Sequence, residues 1–171
     1  MANDSVPDIL RYLANEAGFR PARRCWHDYR LALALVAGVL VVWAEHSWLP
    51  PFSSHHAFDW KLMASLIIWQ PLFEEILFRG LIQGQLLKRD WGQRSRLQIS
   101  TANIITSLLF VGIHLFMNSP LFSMTLLIPS LVYGYFRDRC NSVYPSILLH
   151  CAYNAFVIAG LIIAGNMDLT G

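Results

Sequence analysis

Five apolar stretches, separated by short polar segments, constrain the fold of this chain more than any other feature. They cover residues 31–49, 62–87, 97–117, 121–136 and 143–164. A helix needs about 20 apolar residues to cross the hydrocarbon core of a membrane, and most of the stretches approach that length. Only 14% of the residues are charged, against about 25% in ordinary soluble domains. The pattern predicts an all-α, polytopic bundle of about five transmembrane helices.

Lysine and arginine are unevenly distributed among the segments that connect these stretches. If the chain crosses the membrane five times, 11 of its 13 basic residues fall on one side. Basic loops are typical of the cytoplasmic side, so we expect a cytoplasmic N-terminus and an external C-terminus. The chain is therefore expected to be an integral, multi-pass membrane protein. No basic tract is interleaved with aromatic residues, so nucleic acid is not expected as a partner, whereas the lipid bilayer is.

The first 30 residues are predicted to form a separate segment, and residues 31–171 the transmembrane domain. Val6, Ile9, Leu10 and Leu13 recur at helical spacing within the first segment. This spacing predicts a short amphipathic helix that lies on the cytoplasmic membrane surface. Packing of the same face against the protein's own bundle is the alternative.

The three cysteines give no sign of a shared site. Cys25, Cys140 and Cys151 lack the spacings that are typical of metal centres or redox motifs. We therefore expect three unpaired thiols.

The second apolar stretch contains three charged residues, Glu74, Glu75 and Arg79. A charge at the centre of a membrane helix costs about 2.5–3.5 kcal/mol on insertion scales, so such a cluster indicates a functional site. Glu75 and Arg79 are four residues apart and are predicted to pair on one helix face. Glu74 points about 100° away and can face a cavity. Pro71 predicts a kink just before the cluster.

Two later stretches carry polar residues that could meet these carboxylates. Phe110 and His114 share a face of the third stretch, and His150 and Asn154 share a face of the fifth. If the helices converge, a carboxylate, two imidazoles and an amide come together. Such a set can deprotonate water and stabilise an oxyanion.

Two other functions are compatible with these residues. Glu74, His114 and His150 could bind zinc and leave one position open for water. The sequence has no His-Glu-x-x-His helix, and Asn154 suits an oxyanion site better than a zinc shell, so we expect no cofactor and keep zinc as the alternative. A non-catalytic immunity, chaperone or transport protein would use the charged cluster for partner binding or proton transfer. A further interpretation of Glu75 and Arg79 is a structural ion pair, with Glu74 as a spare carboxylate.

The ordered motifs resemble those of the CPBP family of intramembrane proteases, which includes the type II CAAX prenyl endopeptidase and bacteriocin-processing relatives. The family pattern is Glu-Glu-x-x-x-Arg, Phe-x-x-x-His and His-x-x-x-Asn, and the similarity covers about residues 60–165. The chain matches this pattern at Glu74, Glu75, Arg79, Phe110, His114, His150 and Asn154.

This resemblance implies a glutamate-dependent endopeptidase. Glu74 would act as the general base and hold a water jointly with His114, while His150 and Asn154 would stabilise the oxyanion. Supporting roles are implied for Glu75, Arg79 and Phe110. The implied substrate is a membrane-tethered protein or peptide: a prenylated CAAX protein, a bacteriocin precursor, or a C-terminal sorting signal of the kind that myxosortases remove. The similarity to small bacterial relatives implies a location in a bacterial inner membrane.

Overall fold

Helices make up most of the structure. The computed structural model describes residues 6–48, 56–57, 59–163 and 167–168. The helices are α1 (Val6–Glu16), α2 (Tyr29–Trp48), α3 (residues 60–86), α4 (Asp90–Gln93), α5 (Thr101–His114), α6 (Pro120–Thr125), α7 (Leu127–Cys140) and α8 (Tyr144–Ile163), with a 3-10 turn at Cys25–His27. Strand β1 (His56–Ala57) pairs in parallel with β4 (Met167–Asp168), and β2 (Ser95–Arg96) pairs antiparallel with β3 (Ile99–Ser100). The predicted all-α class is confirmed.

Helix α3 is continuous, but its hydrogen-bond pattern alternates. It comprises α-helical Trp60–Ala64, π-helical Ser65–Trp69, α-helical Gln70–Glu75, π-helical Ile76–Gln83 and α-helical Gly84–Leu86. The backbone N–H of Gln70 bonds to the carbonyl of Ser65, five residues back. The same pattern would pair residue 71 with Leu66, but Pro71 has no N–H. The Leu66 carbonyl is therefore left for a donor from another helix.

The helices pack around α7 and α8. Helix α8 contacts α2, α7 and the Gln70–Glu75 part of α3, while α5 contacts α7 and the Ile76–Gln83 part. Leu31, Tyr133, Phe136 and Leu149 form a buried apolar cluster where α2, α7 and α8 meet. Beside it, every fourth residue on the inner face of α3 is a fully buried polar side chain: Glu75, Arg79 and Gln83.

Helix lengths bear on the predicted membrane spans. Within the described part of the chain, Tyr144–Ile162 is the one helix whose length and composition suffice to cross a membrane, and Tyr29–Val41 and Thr101–His114 are apolar but shorter. The predicted span 121–136 is divided, because α6 ends at Thr125 and α7 begins at Leu127. Helix α5 begins at Thr101, where the Ser100 hydroxyl accepts a capping hydrogen bond from the Asn103 N–H at 3.0 Å. The count of five spans stays a prediction.

The stretch after α1, residues 17–28, crosses the ends of α3 and α7, and we call it the strap. Near its start, Gly18 has a φ of +82°, which ends α1 in the left-handed conformation that glycine adopts readily. The Gly18 carbonyl accepts a hydrogen bond of 2.9 Å from the backbone N–H of Val143. A Cβ atom on Gly80 would lie 2.6 Å from the Ala17 carbonyl oxygen. The strap therefore lies directly against α3.

A disulfide joins the strap to the end of α7. Cys25 and Cys140 are bonded, with 5.9 Å between their Cα atoms, and Cys151 is a free thiol. The prediction of three unpaired thiols was therefore wrong for two of them. The two cysteines are 115 positions apart, and no sequence spacing reveals that the strap returns to α7.

An ion pair lies close to this disulfide. Arg139 pairs with Asp28 at the end of the strap. The hydrogen bond from Arg139, followed by one from the backbone N–H of Arg30, holds the pKa of Asp28 below its ordinary value. The contact therefore adds an electrostatic attachment beside the covalent one.

Helix α1 has the amphipathic pattern that the sequence predicts. None of its residues is buried, and Val6, Leu10 and Leu13 are exposed. The apolar face therefore does not pack against the described part of the bundle. Its placement on a membrane surface stays a prediction.

Candidate active site

The centre of the candidate site is a buried ion pair within α3. The side chains of Glu75 and Arg79 are both 0% exposed, and Arg79 Nη1 donates to Glu75 Oε1 at 3.0 Å. Arg79 Nη2 donates to the backbone carbonyl and the hydroxyl of Ser130 at 3.0 and 2.7 Å. The guanidinium also lies over the rings of Phe110 and Tyr133, at 4.9 and 5.4 Å from their centroids. These contacts fix the guanidinium and hold Glu75 as its anionic partner.

His150 connects this pair to the neighbouring carboxylate. Its Nδ1 lies 2.9 Å from Glu75 Oε1. Because an ionised carboxylate only accepts hydrogen bonds, Nδ1 carries the proton. The Tyr133 ring stacks on the imidazole at 4.8 Å with a 19° interplanar angle. The ring is thereby oriented with Nε2 3.7 Å from Glu74 Oε2.

Glu74 has a different environment from Glu75. Its side chain is 20% exposed, and Oε1 accepts a hydrogen bond of 2.9 Å from the amide of Gln70. The separation of 3.7 Å between Oε2 and His150 Nε2 is longer than a hydrogen bond. Two adjacent carboxylates thus differ in burial and in partners, as the roughly 100° between their directions on the helix predicts.

His114 lies at the edge of this cluster, at the end of α5. Its Nδ1 donates to the Phe110 carbonyl at 2.8 Å, so Nε2 is the acceptor nitrogen of the neutral ring. Phe110 lies between the two histidines, with ring centroids 4.4 Å from His114 and 6.0 Å from His150. Within the described residues His114 forms no hydrogen bond with Glu74. The structure brings them into one region without joining them directly.

Asn154 connects α8 to α3. Its Nδ2 donates to the Leu66 carbonyl at 2.8 Å, which is the carbonyl that Pro71 leaves without a backbone donor. One amide N–H is committed to this contact, and the second remains for another acceptor. Asn154 therefore sets how α8, and with it His150, lies against α3.

Two buried atoms of the ion pair have no hydrogen-bond partner among the described residues: Glu75 Oε2 and Arg79 Nε. Leaving such an atom unpaired costs about 1–3 kcal/mol, and more when the group is charged. The pair is thus a costly feature of the interior. Polar groups kept at such a cost are typical of functional sites.

The zinc alternative can be tested against this geometry. Both histidines donate Nδ1–H to an oxygen acceptor, which is how zinc-binding histidines are usually oriented. However, in the parts of the chain that the structure describes, no three histidine, cysteine, aspartate or glutamate side chains converge as a possible metal site. In this geometry Glu74, His114 and His150 do not form a three-ligand zinc centre, and metal dependence stays a prediction.

Three residues of the site were not predicted from the sequence. Gln70 could have been found, because it lies four positions before Glu74 on the same helix face. Ser130 and Tyr133 have no comparable signal, since their partners are on α3 and α8 and are distant in sequence. Only the packed structure reveals them.

The chain also matches the model of a known protein family. The family model for "Type II CAAX prenyl endopeptidase Rce1-like" matches residues 56–156. This range contains all seven residues of the predicted motifs and more than half of the chain. No curated protein and no solved structure matches the chain. The resemblance predicted from the motifs is thus confirmed: the chain belongs to the Rce1-like family of CAAX-type integral membrane proteases.

Proposed function

We propose that this protein is a glutamate-dependent intramembrane endopeptidase that cleaves a membrane-tethered protein or peptide. The observation that carries the proposal is the unequal environment of the two adjacent carboxylates. Glu75 is occupied by Arg79 and His150, whereas Oε2 of the partly exposed Glu74 has no partner within hydrogen-bond length among the described residues. Glu74 is the carboxylate that remains available to act on water.

The proposed reaction begins with a water molecule bound at Glu74 Oε2. Glu74 accepts a proton from this water, and the water oxygen attacks the carbonyl carbon of the scissile peptide bond. When the tetrahedral intermediate collapses, the C–N bond breaks and the proton is returned to the leaving nitrogen. This use of one group as base and then as acid is typical of general acid–base catalysis.

The other residues are proposed to place the water and stabilise the intermediate. Among the described residues, His114 Nε2 and His150 Nε2 are the ring nitrogens that form no hydrogen bond, so each can bind the water or exchange a proton with it. The second N–H of Asn154 can donate to the oxyanion, as can His150 Nε2 once it carries a proton. Glu75 and Arg79 act through His150 by fixing its orientation.

A membrane setting supports the choice of substrate class. The family consists of integral membrane proteases. Residues Tyr144–Ile162 of α8 are apolar enough and long enough to cross a bilayer. The polytopic topology, the cytoplasmic N-terminus and the bacterial inner membrane are part of the proposal. Prenylated CAAX proteins, bacteriocin precursors and C-terminal sorting signals are the candidate substrates.

The test is a comparison of peptide termini in membranes of cells that express the wild-type protein or Glu74→Gln. The amide keeps the shape of the side chain and its contact with Gln70, but it cannot accept a proton. Loss of a general base lowers rates by about 10²–10⁴-fold, so the cleaved termini should disappear and uncleaved precursors should accumulate. Glu16→Gln, which alters an exposed ion pair with Lys88, is the matched control and should behave as wild type.

Each rival function predicts a different result. A non-catalytic interaction protein would give the same termini in wild type and Glu74→Gln. A zinc enzyme would lose activity on exhaustive chelation and regain it when zinc is added, whereas the proposed mechanism predicts that cleavage survives chelation.

A further inference from the structure

We propose that Cys25 and Cys140 form a thiol–disulfide exchange site, whose co-reactant is a small thiol or dithiol and whose state controls how tightly the strap is held. The disulfide lies at the end of the bundle where the basic segments cluster, beside Arg139 and close to Arg24. Basic segments are typical of the cytoplasmic side. Disulfides in that compartment are usually transient or redox-sensing, because cellular thiols reduce them.

The two cysteine residues differ in their exposure. Cys25 is 7% exposed, whereas Cys140 is partly exposed at the end of α7. An external thiolate therefore attacks Cys140 Sγ, and Cys25 Sγ leaves as a thiolate and takes up a proton. A second external thiol then releases Cys140. Overall, the protein disulfide is reduced to two thiols while two external thiols, or one dithiol, are oxidised to a disulfide.

Weaker contacts hold the strap on either side of the disulfide. Before it, the Ser142 hydroxyl donates to the Arg20 carbonyl at 2.7 Å. After it, Asp28 pairs with Arg139. Between Arg20 and Asp28, the disulfide is the strongest link to the bundle. Reduction therefore loosens this middle part first, while the flanking contacts keep the strap near the bundle.

The loosened part leads directly into the packing around His150. Helix α2 begins at Tyr29, and Leu31 in its first turn belongs to the buried cluster that contains Tyr133. Tyr133 stacks on the His150 ring and lies under the Arg79 guanidinium. The disulfide thus fixes the start of a helix that packs against the ring holding His150 in place.

The first experiment measures strap opening and does not depend on any activity. Purified protein in detergent is treated with trypsin, with and without dithiothreitol, and cleavage after the exposed Arg23 and Arg24 is followed by mass spectrometry. Cleavage of a folded segment requires local opening, so reduction should accelerate it in the wild type. The variant Cys25→Ser/Cys140→Ser should be cleaved rapidly whether or not reductant is present. Cys151→Ala is the matched control and should respond to dithiothreitol as the wild type does.

The second experiment follows the cysteines in cells. Thiols are trapped with a maleimide–polyethylene glycol reagent before lysis, and the gel shift counts the free cysteines. We expect a mixture of oxidised and reduced protein that moves toward the disulfide with diamide and toward the thiols with dithiothreitol. A pair that stays fully oxidised under both treatments would be a permanent structural disulfide, and this result would overturn the proposal. A pair that stays fully reduced under both would overturn it equally.

A third measurement rests on the proposed function. Reduction should lower peptide cleavage about two- to thirtyfold, which is the range over which residues remote from a site alter it, and the double serine variant should show the same lower rate. If no cleavage is measurable in any sample, the proposed function has failed, while the trypsin and alkylation results still decide the exchange site. Equal acceleration of trypsin cleavage by dithiothreitol in the wild type and in the double serine variant would refute control of the strap by these cysteines.

Discussion

Removing one member of the buried pair of Glu75 and Arg79 should strongly destabilise the protein, whereas replacing both members with apolar residues should have a smaller effect. Removing one member leaves the other charged and fully buried, and such substitutions cost about 3–5 kcal/mol. We therefore expect that Glu75→Leu and Arg79→Met each lower the free energy of unfolding by this amount. Glu75→Leu should be the more harmful, because both Arg79 and His150 donate to the Glu75 carboxylate.

The double variant Glu75→Leu/Arg79→Met should recover most of this loss. It contains no uncompensated charge, and replacing a buried ion pair with apolar residues is often neutral or stabilising. What remains unpaired is the Nδ1–H of His150 and the hydroxyl of Ser130. A buried polar group that has lost its partner costs about 1–3 kcal/mol. We therefore expect the double variant to be more stable than Glu75→Leu and no less stable than Arg79→Met.

The assay is equilibrium unfolding in mixed detergent micelles, with sodium dodecyl sulfate as the denaturant and helical circular dichroism as the signal. A matched control is the exposed pair of Glu16 and Lys88, in which the lysine side chain is 51% exposed. Exposed pairs contribute about 0–1 kcal/mol, so Glu16→Leu and Lys88→Met should have small effects. A double variant at Glu75 and Arg79 that loses the sum of both single losses would refute the reasoning, because the two charges would then act independently.

Two further predictions concern the strap. Gly80→Ala should destabilise the protein by about 1–3 kcal/mol, as overpacking does, because its Cβ would lie 2.6 Å from the Ala17 carbonyl oxygen. Gly112→Ala is the control and should be neutral or stabilising in thermal unfolding, because within the described residues its Cβ would meet nothing within 4 Å beyond its own stretch of helix. Arg139 lowers the pKa of Asp28 from the ordinary 3.8. The ionised Asp28 therefore stabilises the folded protein fully above pH 3.8, and this stabilisation is lost as the pH falls through the lower pKa of the folded state. The melting temperature of the wild type should exceed that of Asp28→Asn at neutral pH, and the difference should vanish below the folded-state pKa of Asp28. A difference that persists at that low pH would contradict a stabilising role for the ion pair of Asp28 with Arg139.

The sequence is most informative where the relevant contacts are local. Glu75 and Arg79 pair within one helical turn, and the spacing alone predicts this contact. The difference between Glu74 and Glu75 likewise follows from helix geometry. The motif residues could be grouped because each belongs to a recognisable short pattern within the range that matches the family.

The sequence is less informative where contacts depend on how helices pack. No pattern indicates that Ser130 accepts hydrogen bonds from Arg79, or that Asn154 caps the carbonyl of Leu66. Pro71 predicts a disturbed helix, but not that the disturbance takes the form of two π-helical segments around Gln70–Glu75. Hydropathy also joined α6 and α7 into one span, because it reports apolar composition and does not register the turn at Leu126.

The disulfide places the residues of the candidate site in two different parts of the covalent chain. The bond between Cys25 and Cys140 closes a ring that contains Glu74, Glu75 and His114, whereas His150 and Asn154 lie on the tail that leaves the ring after residue 140. A single nick anywhere inside the ring leaves one covalent molecule that still carries both parts of the site. A nick at residues 141–143 would separate the carboxylates from the α8 residues. In the oxidised protein, the integrity of the site therefore depends on that three-residue connection more than on any other loop.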